Sequence, residues 1–283
     1  MKQDRRTAFV LAAGLGTRLK ELTKDKPKAL VSINNMPLLE VILEELIRQD
    51  FNHIVINIHH FGEKIIEFFS KKDFSTSLEM TKADLSFRLK RSGMETRAKR
   101  ELSPLVKKSS TDEVLIEISD ERPLLMDTGG AILQALPYFV QSEAVLVHNV
   151  DVLTNIDLKG FYDDFRRSDD AVWLLTQERN SKRKLVFDIQ DNFLGRFNYE
   201  TNDYDGNSAL PNDCKLLSFS GVHLFKPKYF ENFEIKPRYI FELYQKIAEN
   251  HSVKSKLIHP DYWFDLGTQE QLKNAEQWLS LRR

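Results

Sequence analysis

The stretch richest in potential chemistry is Phe9 to Leu30, FVLAAGLGTRLKELTKDKPKAL. Gly14 and Gly16 let backbone N–H groups turn into one concavity, and Arg18, Lys26 and Lys28 add fixed positive charge around it, an arrangement suited to a polyphosphate. It is not a P-loop, because no Gly-Lys-Ser/Thr follows at the required spacing, and not a dinucleotide fingerprint, because Leu19 stands at the third glycine position. On spacing alone, a glycine-rich surface turn with solvated lysines accounts for it equally well. Asp151 closes the apolar run Ala144 to Val152, where a buried carboxylate is costly unless it is paired or binds a cation. Both Asp151 and Asp157 precede helical sequence, so an N-cap is the competing role. Thr128-Gly129-Gly130 opens a helix, either offering free N–H groups to oxygen acceptors or simply capping it. Asp265, before Leu266-Gly267-Thr268, reads in isolation as a turn or cap residue.

These residues sit at the ends of a regular alternation of elements. Apolar runs at Phe9 to Ala13, His53 to His60, Val114 to Ser119, Ala144 to Val152 and Ala171 to Gln177 read as strands. Between them, Met36 to Ile47, Gly62 to Lys72, Ile132 to about Phe139 and Asp157 to Arg167 show helical spacing. The expectation is an α/β fold, a doubly wound and mostly parallel sheet with helices on both faces, whose ligands lie beyond the strands' C-terminal ends. In the second half, Lys184 to Ile189 and Phe193 to Tyr199 form a hairpin around Asp191-Asn192, and Glu200 to Asp213 is a loop over the site. A strand at Leu216 to Phe225, helices at Lys228 to Phe233 and Ile240 to Asn250, and a terminal helix through Leu281 complete the chain.

Composition excludes several functions. With 41 Lys+Arg against 42 Asp+Glu there is no global field to gather nucleic acid or an anionic membrane, so any anion site is local. The single cysteine, Cys214, rules out an internal disulfide and lacks a nearby histidine, which makes it an idle thiol. The adjacent His59 and His60 point to opposite faces of a strand and cannot easily share a metal ion. The charged N-terminus and the lack of any membrane-length apolar stretch predict a cytoplasmic protein. All of residues 1–283 read as one domain, interrupted by a basic surface insertion at about 74–112 that is irregular or a loose helix. From Lys82 to Lys108 it carries nine basic residues against three acidic ones, with little aromatic interleaving for nucleic acid.

Ala12-Ala13-Gly14-Leu15-Gly16-Thr17-Arg18-Leu19 followed by Lys26-Pro27-Lys28-Ala29-Leu30 resembles the signature of the sugar-1-phosphate nucleotidyltransferases. Phe219-Ser220-Gly221 and Trp263-Phe264-Asp265-Leu266-Gly267-Thr268 resemble two further motifs of that family. The likeness skips the insertion, has Val150 where the family carries a small residue before the acid, and lacks the Glu-Lys-Pro whose lysine grips the sugar phosphate. Arg183 and Lys184 are the substitutes position offers. The resemblance implies a GT-A/Rossmann-like fold joining a nucleoside triphosphate to a sugar 1-phosphate. It implies catalytic roles for Arg18, Lys28 and Asp151, and nucleotide contacts from Leu11, Ala12, Ala13, Gly14, Gly16, Thr17, Arg18, Lys28, Asn57, Thr128, Gly129 and Gly130. Sugar contacts fall to Asn149, Ser220 and Gly221, and Mg²⁺ to Asp151 and Asp265. Among subfamilies the likeness leans to N-acetylmuramate-1-phosphate uridylyltransferases, with mannose- or heptose-1-phosphate guanylyltransferases close behind. The rivals from other classes are a GT-A glycosyltransferase and a non-catalytic sugar-nucleotide sensor; nucleic-acid and membrane partners are not expected.

Overall fold

The computed structural model describes residues 5–71, 85–90 and 114–281. Strand β1 (Thr7–Leu11) runs through 3₁₀ turns at Thr17–Thr23 and Lys28–Leu30 and a small hairpin, β2 (Ser32–Ile33) with β3 (Met36–Pro37), into helix α1 (Leu38–Arg48). Then come β4 (His53–Ile58), α2 (Gly62–Lys71), β5 (Leu85–Lys90), β6 (Val114–Asp120), α3 (Asp127–Ala135), β7 (Val145–Asn149), β8 (Val152–Thr154) and α4 (Leu158–Arg167). The second half adds β9 (Val172–Gln177), β10 (Arg183–Phe187), β11 (Phe193–Asn198), β12 (Asp203–Gly206) and β13 (Lys215–Phe225). It ends with α5 (Ile240–Ala248), β14 (Val253–Leu257), β15 (Trp263–Asp265) and α6 (Gln269–Ser280).

The main sheet is parallel where it carries the glycine loop: β7, β1, β4, β6 and β5 lie side by side in one direction. Beyond β7 it turns antiparallel through β13, which also pairs with β9 and with the β10–β11–β12 meander. Alternation along the central strands divides the core. Ala8 and Val10 face a cluster with Leu39 and Leu43 of α1 and Tyr162 and Phe165 of α4, whereas Phe9 faces Ile132 of α3 and Leu243 and Tyr244 of α5. Helices therefore cover both faces, as the apolar runs dictate. No described helix is long and apolar enough to cross a membrane.

Three expectations change in detail. Met36-Pro37 is held in the β2–β3 hairpin, so α1 starts at Leu38 rather than Met36. The helix expected from Lys228 shrinks to a 3₁₀ turn at Pro227–Tyr229. Within the basic insertion, Leu85–Lys90 is neither helical nor irregular: it adds a parallel strand beside β6, because backbone pairing at an open edge tolerates almost any side chain. The remainder of that insertion lies outside the described residues.

Candidate active site

The glycine loop leaves the C-terminal end of β1 and is fastened from behind. The Asn57 side-chain oxygen accepts hydrogen bonds from the Ala12 and Ala13 N–H groups (2.6 and 3.2 Å), and its amide donates to Glu121 Oε1 at 2.8 Å. Glu121 is almost fully buried, and burial pushes its carboxyl up to about 7, with the Asn57 bond acting in the opposite sense. Asn57, expected to touch nucleotide, thus shapes the loop from beneath. Glu121 was invisible in the sequence, since only its partner 64 positions away gives it a role. At the other end of the loop Gly16 adopts φ 64°, and a Cβ there would crowd Thr23 and Lys28. Thr23 Oγ1 donates to the Gly16 carbonyl at 3.0 Å, fixing that turn, while Gly14 has open space around it.

Lys28 comes from the second 3₁₀ turn and is buried; its ammonium pairs with Asp151. Asp151 stands between β7 and β8, and the capping role it might have had belongs to Asp157, whose Oδ1 accepts from the Gly160 N–H at 2.8 Å. Asp265 arrives alongside. β15 pairs antiparallel with β8, placing Asp265 opposite Val152, and the Leu266 N–H donates to the Asp151 carbonyl at 2.8 Å. The two acids therefore come from adjoining backbone despite a separation of 114 positions (265 − 151). Asp265 also makes a turn of its own, Oδ1 accepting from the Gly267 N–H at 2.9 Å, and Thr268 caps α6 by accepting from the Gln271 N–H.

Arg18 lies beside Gly267, the residue this second acid also holds. Its guanidinium lies over Gly267, so close that a Cβ on that residue would sit 2.5 Å from Nη2 and 2.8 Å from Asp265 Oδ1. The convergence has a packing cause. Leu19 from the loop, Leu153 beyond Asp151, Leu266 beyond Asp265, and Leu272 and Ala275 of α6 form a small core of their own beneath these groups. Burying one apolar neighbour of each functional residue fixes three remote segments to a common floor.

The acceptor side is built on β13. Gly221, at φ 84°, breaks the regular β13–β9 register and lets the strand pass against Val152 and Asn149, where a Cβ would meet Val152 Cγ2 at 2.6 Å. A half-open cavity of about 510 Å³ lies nearby, walled by Phe197, Phe219, Tyr239 and Phe241 with Lys184 and Arg196 on its polar side. A second cavity, of about 910 Å³, lies toward β14, is lined by Arg179 and shares Lys184 with the first; neither cavity includes Arg18, Lys28, Asp151 or Asp265, so their sizes say little about the chemistry.

Several site residues have partners other than those expected. The Gly129 and Gly130 N–H groups, expected to be free for a nucleobase, both donate to the Arg238 carbonyl (2.9 and 3.2 Å), and Thr128 Oγ1 accepts from the Ile240 N–H. These glycines admit the backbone of residues 236–239, since a Cβ on Gly130 would lie 2.5 Å from the Lys236 oxygen. Ser220 is fully buried and its hydroxyl closes on Val222, so it staples the strand's irregularity. Lys184 donates one of its three ammonium hydrogens to the Arg179 carbonyl and lines both cavities; Arg183 is exposed. Leu11 pairs with Asn149 at the ends of β1 and β7, Ala12 and Ala13 follow directly, and Thr17 opens the 3₁₀ turn beyond the loop.

Hard oxygen ligands suit Mg²⁺, which usually takes one or two carboxylates and completes its shell with water and substrate phosphates. Asp151 and Asp265 fit that pattern, and among the described residues no cluster of three or more metal-ligating side chains offers a cage made by protein alone.

Comparison with known proteins gives the same answer by a separate route. The nucleotidyl transferase family model matches residues 7–185. The chain is 26% identical to an N-acetylmuramate alpha-1-phosphate uridylyltransferase of Caulobacter vibrioides, with 99% of each chain covered. It is equally 26% identical to a D-glycero-alpha-D-manno-heptose 1-phosphate guanylyltransferase of Campylobacter jejuni, covering 93% of this chain and 95% of that one. Among solved structures it is similar to HddC from Yersinia pseudotuberculosis, with a TM-score of 0.66 at 20% identity over 97% of this chain and 99% of that one. UDP-glucose pyrophosphorylase from Acinetobacter baumanii gives a TM-score of 0.69 at 17% identity, with 99% and 94% covered. Those structural likenesses establish the GT-A-like fold. Because the family model spans more than half of the chain, from β1 through the loop and Asp151 into β10, the chain belongs to the nucleotidyl transferase family, among the sugar-1-phosphate nucleotidyltransferases.

Proposed function

We propose that this enzyme joins UTP to N-acetylmuramate 1-phosphate, releasing pyrophosphate. The observation that carries the reaction is the pairing of Lys28 with Asp151 next to Asp265, with Arg18 packed against Gly267 beside that second acid. A phosphate oxygen of the acceptor attacks the α-phosphorus, the bond from that phosphorus to the β-phosphate bridging oxygen breaks, and pyrophosphate leaves with the electron pair. The nucleophile is already ionised, so the protein aligns the reactants and cancels charge. Lys28 is placed to neutralise charge growing at the α-phosphate, and Arg18, on the solvent side of the loop, to hold the departing pyrophosphate. Asp151 and Asp265 would hold a divalent cation, which supplies electrostatic neutralisation of bridging phosphate oxygens when bound.

The uridylyl reading draws support from the full-length likeness to uridylyltransferases of Caulobacter vibrioides and Neisseria meningitidis. The guanylyl alternative, with a heptose or mannose 1-phosphate, draws on relatives of similar identity. A glycosyltransferase would not need a triphosphate loop carrying Lys28, and a silent sensor would not need both acids. Nucleotide-sugar synthesis for the cell wall, in the cytoplasm, is the setting this reading predicts. Pyrophosphate release measured across the four common NTPs and a panel of sugar 1-phosphates tests it, with UTP and N-acetylmuramate 1-phosphate expected to give the highest kcat/KM. In the same assay Asp151→Asn is expected to stay folded and lose turnover by about two orders of magnitude or more, the scale of removing a key charge-stabilising group. Full divalent-dependent activity in that variant would remove Asp151 from the mechanism.

A further inference from the structure

In the proposed reaction Lys28 faces a phosphate and Asp151 a cation, yet the two side chains hold each other. Both backbones are fixed. Lys28 opens a 3₁₀ turn closed by the Leu30 N–H on the Pro27 carbonyl (2.9 Å) and the Val31 N–H on the Lys28 carbonyl (3.0 Å), and a Cβ on Gly16 would lie only 3.1 Å from the Lys28 Cβ. Beside Asp151, the Val150 N–H donates to the Leu11 carbonyl at 3.2 Å, and the Asp151 carbonyl accepts from the Leu266 N–H. Only the two side chains are left to exchange partners. They are 9% and 19% exposed, and among the described residues no second carboxylate lies within ion-pair distance of the Lys28 ammonium. A buried ammonium that loses its one carboxylate is left uncompensated, so this pair resists breaking unless another anion takes the carboxylate's place.

The charges around the pair do not favour a divalent cation on its own. The two acids, Asp151 and Asp265, are matched by two fixed cations, Lys28 on the first acid and Arg18 packed against Gly267 beside the second. A cation on Asp151 would share that carboxylate with the Lys28 ammonium, and like charges in a half-buried site repel far more strongly than in water. A triphosphate removes both obstacles. Its oxygens accept from Lys28 and Arg18, which frees the carboxylate, and its negative charge restores the attraction for a divalent ion. We propose that Lys28 withholds Asp151 from the divalent cation until nucleotide enters, so that cation and triphosphate bind as a coupled pair. The inference rests on the function proposed above and concerns how that same site is loaded. Thermodynamic linkage makes the coupling reciprocal: whatever factor nucleotide adds to cation affinity, the cation adds to nucleotide affinity.

The test is Mn²⁺ affinity, read from the electron paramagnetic resonance signal of the free ion, for wild-type, Lys28→Met and Lys28→Met/Asp151→Asn enzymes without acceptor, so that no turnover is involved. In the absence of nucleotide, Lys28→Met is expected to bind Mn²⁺ about tenfold or more tighter than wild type, a factor within the usual range of coupling between sites. The double variant is expected to lose that gain, which places it at Asp151. With UTP or GTP added, wild type is expected to gain about tenfold or more in Mn²⁺ affinity, after allowance for the Mn²⁺–nucleotide complex formed in solution. Thermal unfolding gives a second readout, since Mn²⁺ alone then raises the melting temperature of Lys28→Met more than that of wild type. Equal affinity of wild type and Lys28→Met without nucleotide overturns the proposal. So does a gain that survives in the double variant, or a wild-type affinity indifferent to both nucleotides. Should Lys28→Met fail to fold, Lys28→Gln with wild-type Mn²⁺ affinity would be the contradicting result. Failure of the proposed function reads differently: wild-type enzyme that releases no pyrophosphate with any NTP and acceptor refutes that function, while the Mn²⁺ affinities without nucleotide still decide whether Lys28 guards Asp151.

Discussion

At the scale of single residues, the nucleotide loop depends on a pair that braces its backbone from beneath. Asn57 has its donor and acceptor ends fixed by Glu121 and by the Ala12 and Ala13 N–H groups, so its amide orientation is determined by partners on both sides. Glu121 bears the electrostatic cost, since burial carries its carboxyl from the ordinary 4.5 to about 7 in the folded chain. Below about 4.5 the carboxyl is protonated in both folded and unfolded chains. Between that value and about 7 the unfolded chain releases the proton while the folded chain keeps it, so this group's contribution to stability falls as pH rises through the window. The shift corresponds to about 3 kcal/mol at its full extent, an upper scale for a group relaxed by neighbours. Glu121→Gln retains an acceptor for the Asn57 amide and removes the ionisation. It is therefore expected to melt higher than wild type at pH 8, to melt similarly at pH 4.5, and to show a flatter dependence between, as thermal unfolding across that range would show. A wild-type-like profile in the variant would mean that Glu121 stays ionised and is compensated by another group.

At the scale of elements, α3 and the chain entering α5 are fitted backbone to backbone. Gly130 leaves 2.5 Å between an added Cβ and the Lys236 oxygen, and backbone cannot swing aside as a side chain can. Gly130→Ala is expected to cost about 1–3 kcal/mol of stability through this overpacking, read as a lower midpoint in denaturant unfolding, while the loop and acids keep their geometry. An unchanged midpoint would show that residues 236–239 yield freely. The same contact explains what sequence could reveal. Phe9 to Ala13, Ala144 to Val152 and the motifs that follow them were legible because an apolar run followed by a polar residue marks a strand and its ligand-facing end. The partners of Thr128, Gly129 and Gly130 were not legible, because they come from the backbone near Arg238 and backbone leaves no composition to read. The partner of the Ser220 hydroxyl was hidden for a related reason: it serves an irregularity in β13 created by Gly221. Basic composition likewise concealed β5, whose place is fixed by backbone pairing to β6.

At the scale of the whole molecule, the sheet divides the work. Its parallel half carries the triphosphate loop on β1 and Asp151 after β7, its antiparallel half brings Phe219 and Gly221, and β15 with the small core around Leu19, Leu153 and Leu266 ties the halves at the reacting centre. Among the described residues, the stretch from residue 74 to 112 enters this plan through β5, which lies beyond β6 with β4 and β6 separating it from β1. Replacing residues 74–112 by a short flexible link between Asp73 and Glu113 would remove that outer strand and leave the β6 edge with unpaired N–H and C=O groups. The expected result is a protein that melts lower, by about 2–4 °C for each kcal/mol lost in a chain of this size, and that aggregates more readily. Because neither the loop nor the acids share an element with that edge, kcat and both KM values are expected to stay within about twofold of wild type, a change of under about 0.5 kcal/mol. A trimmed protein that folds, by circular dichroism and a cooperative melt, yet releases no pyrophosphate would place part of the catalytic machinery inside the excised stretch.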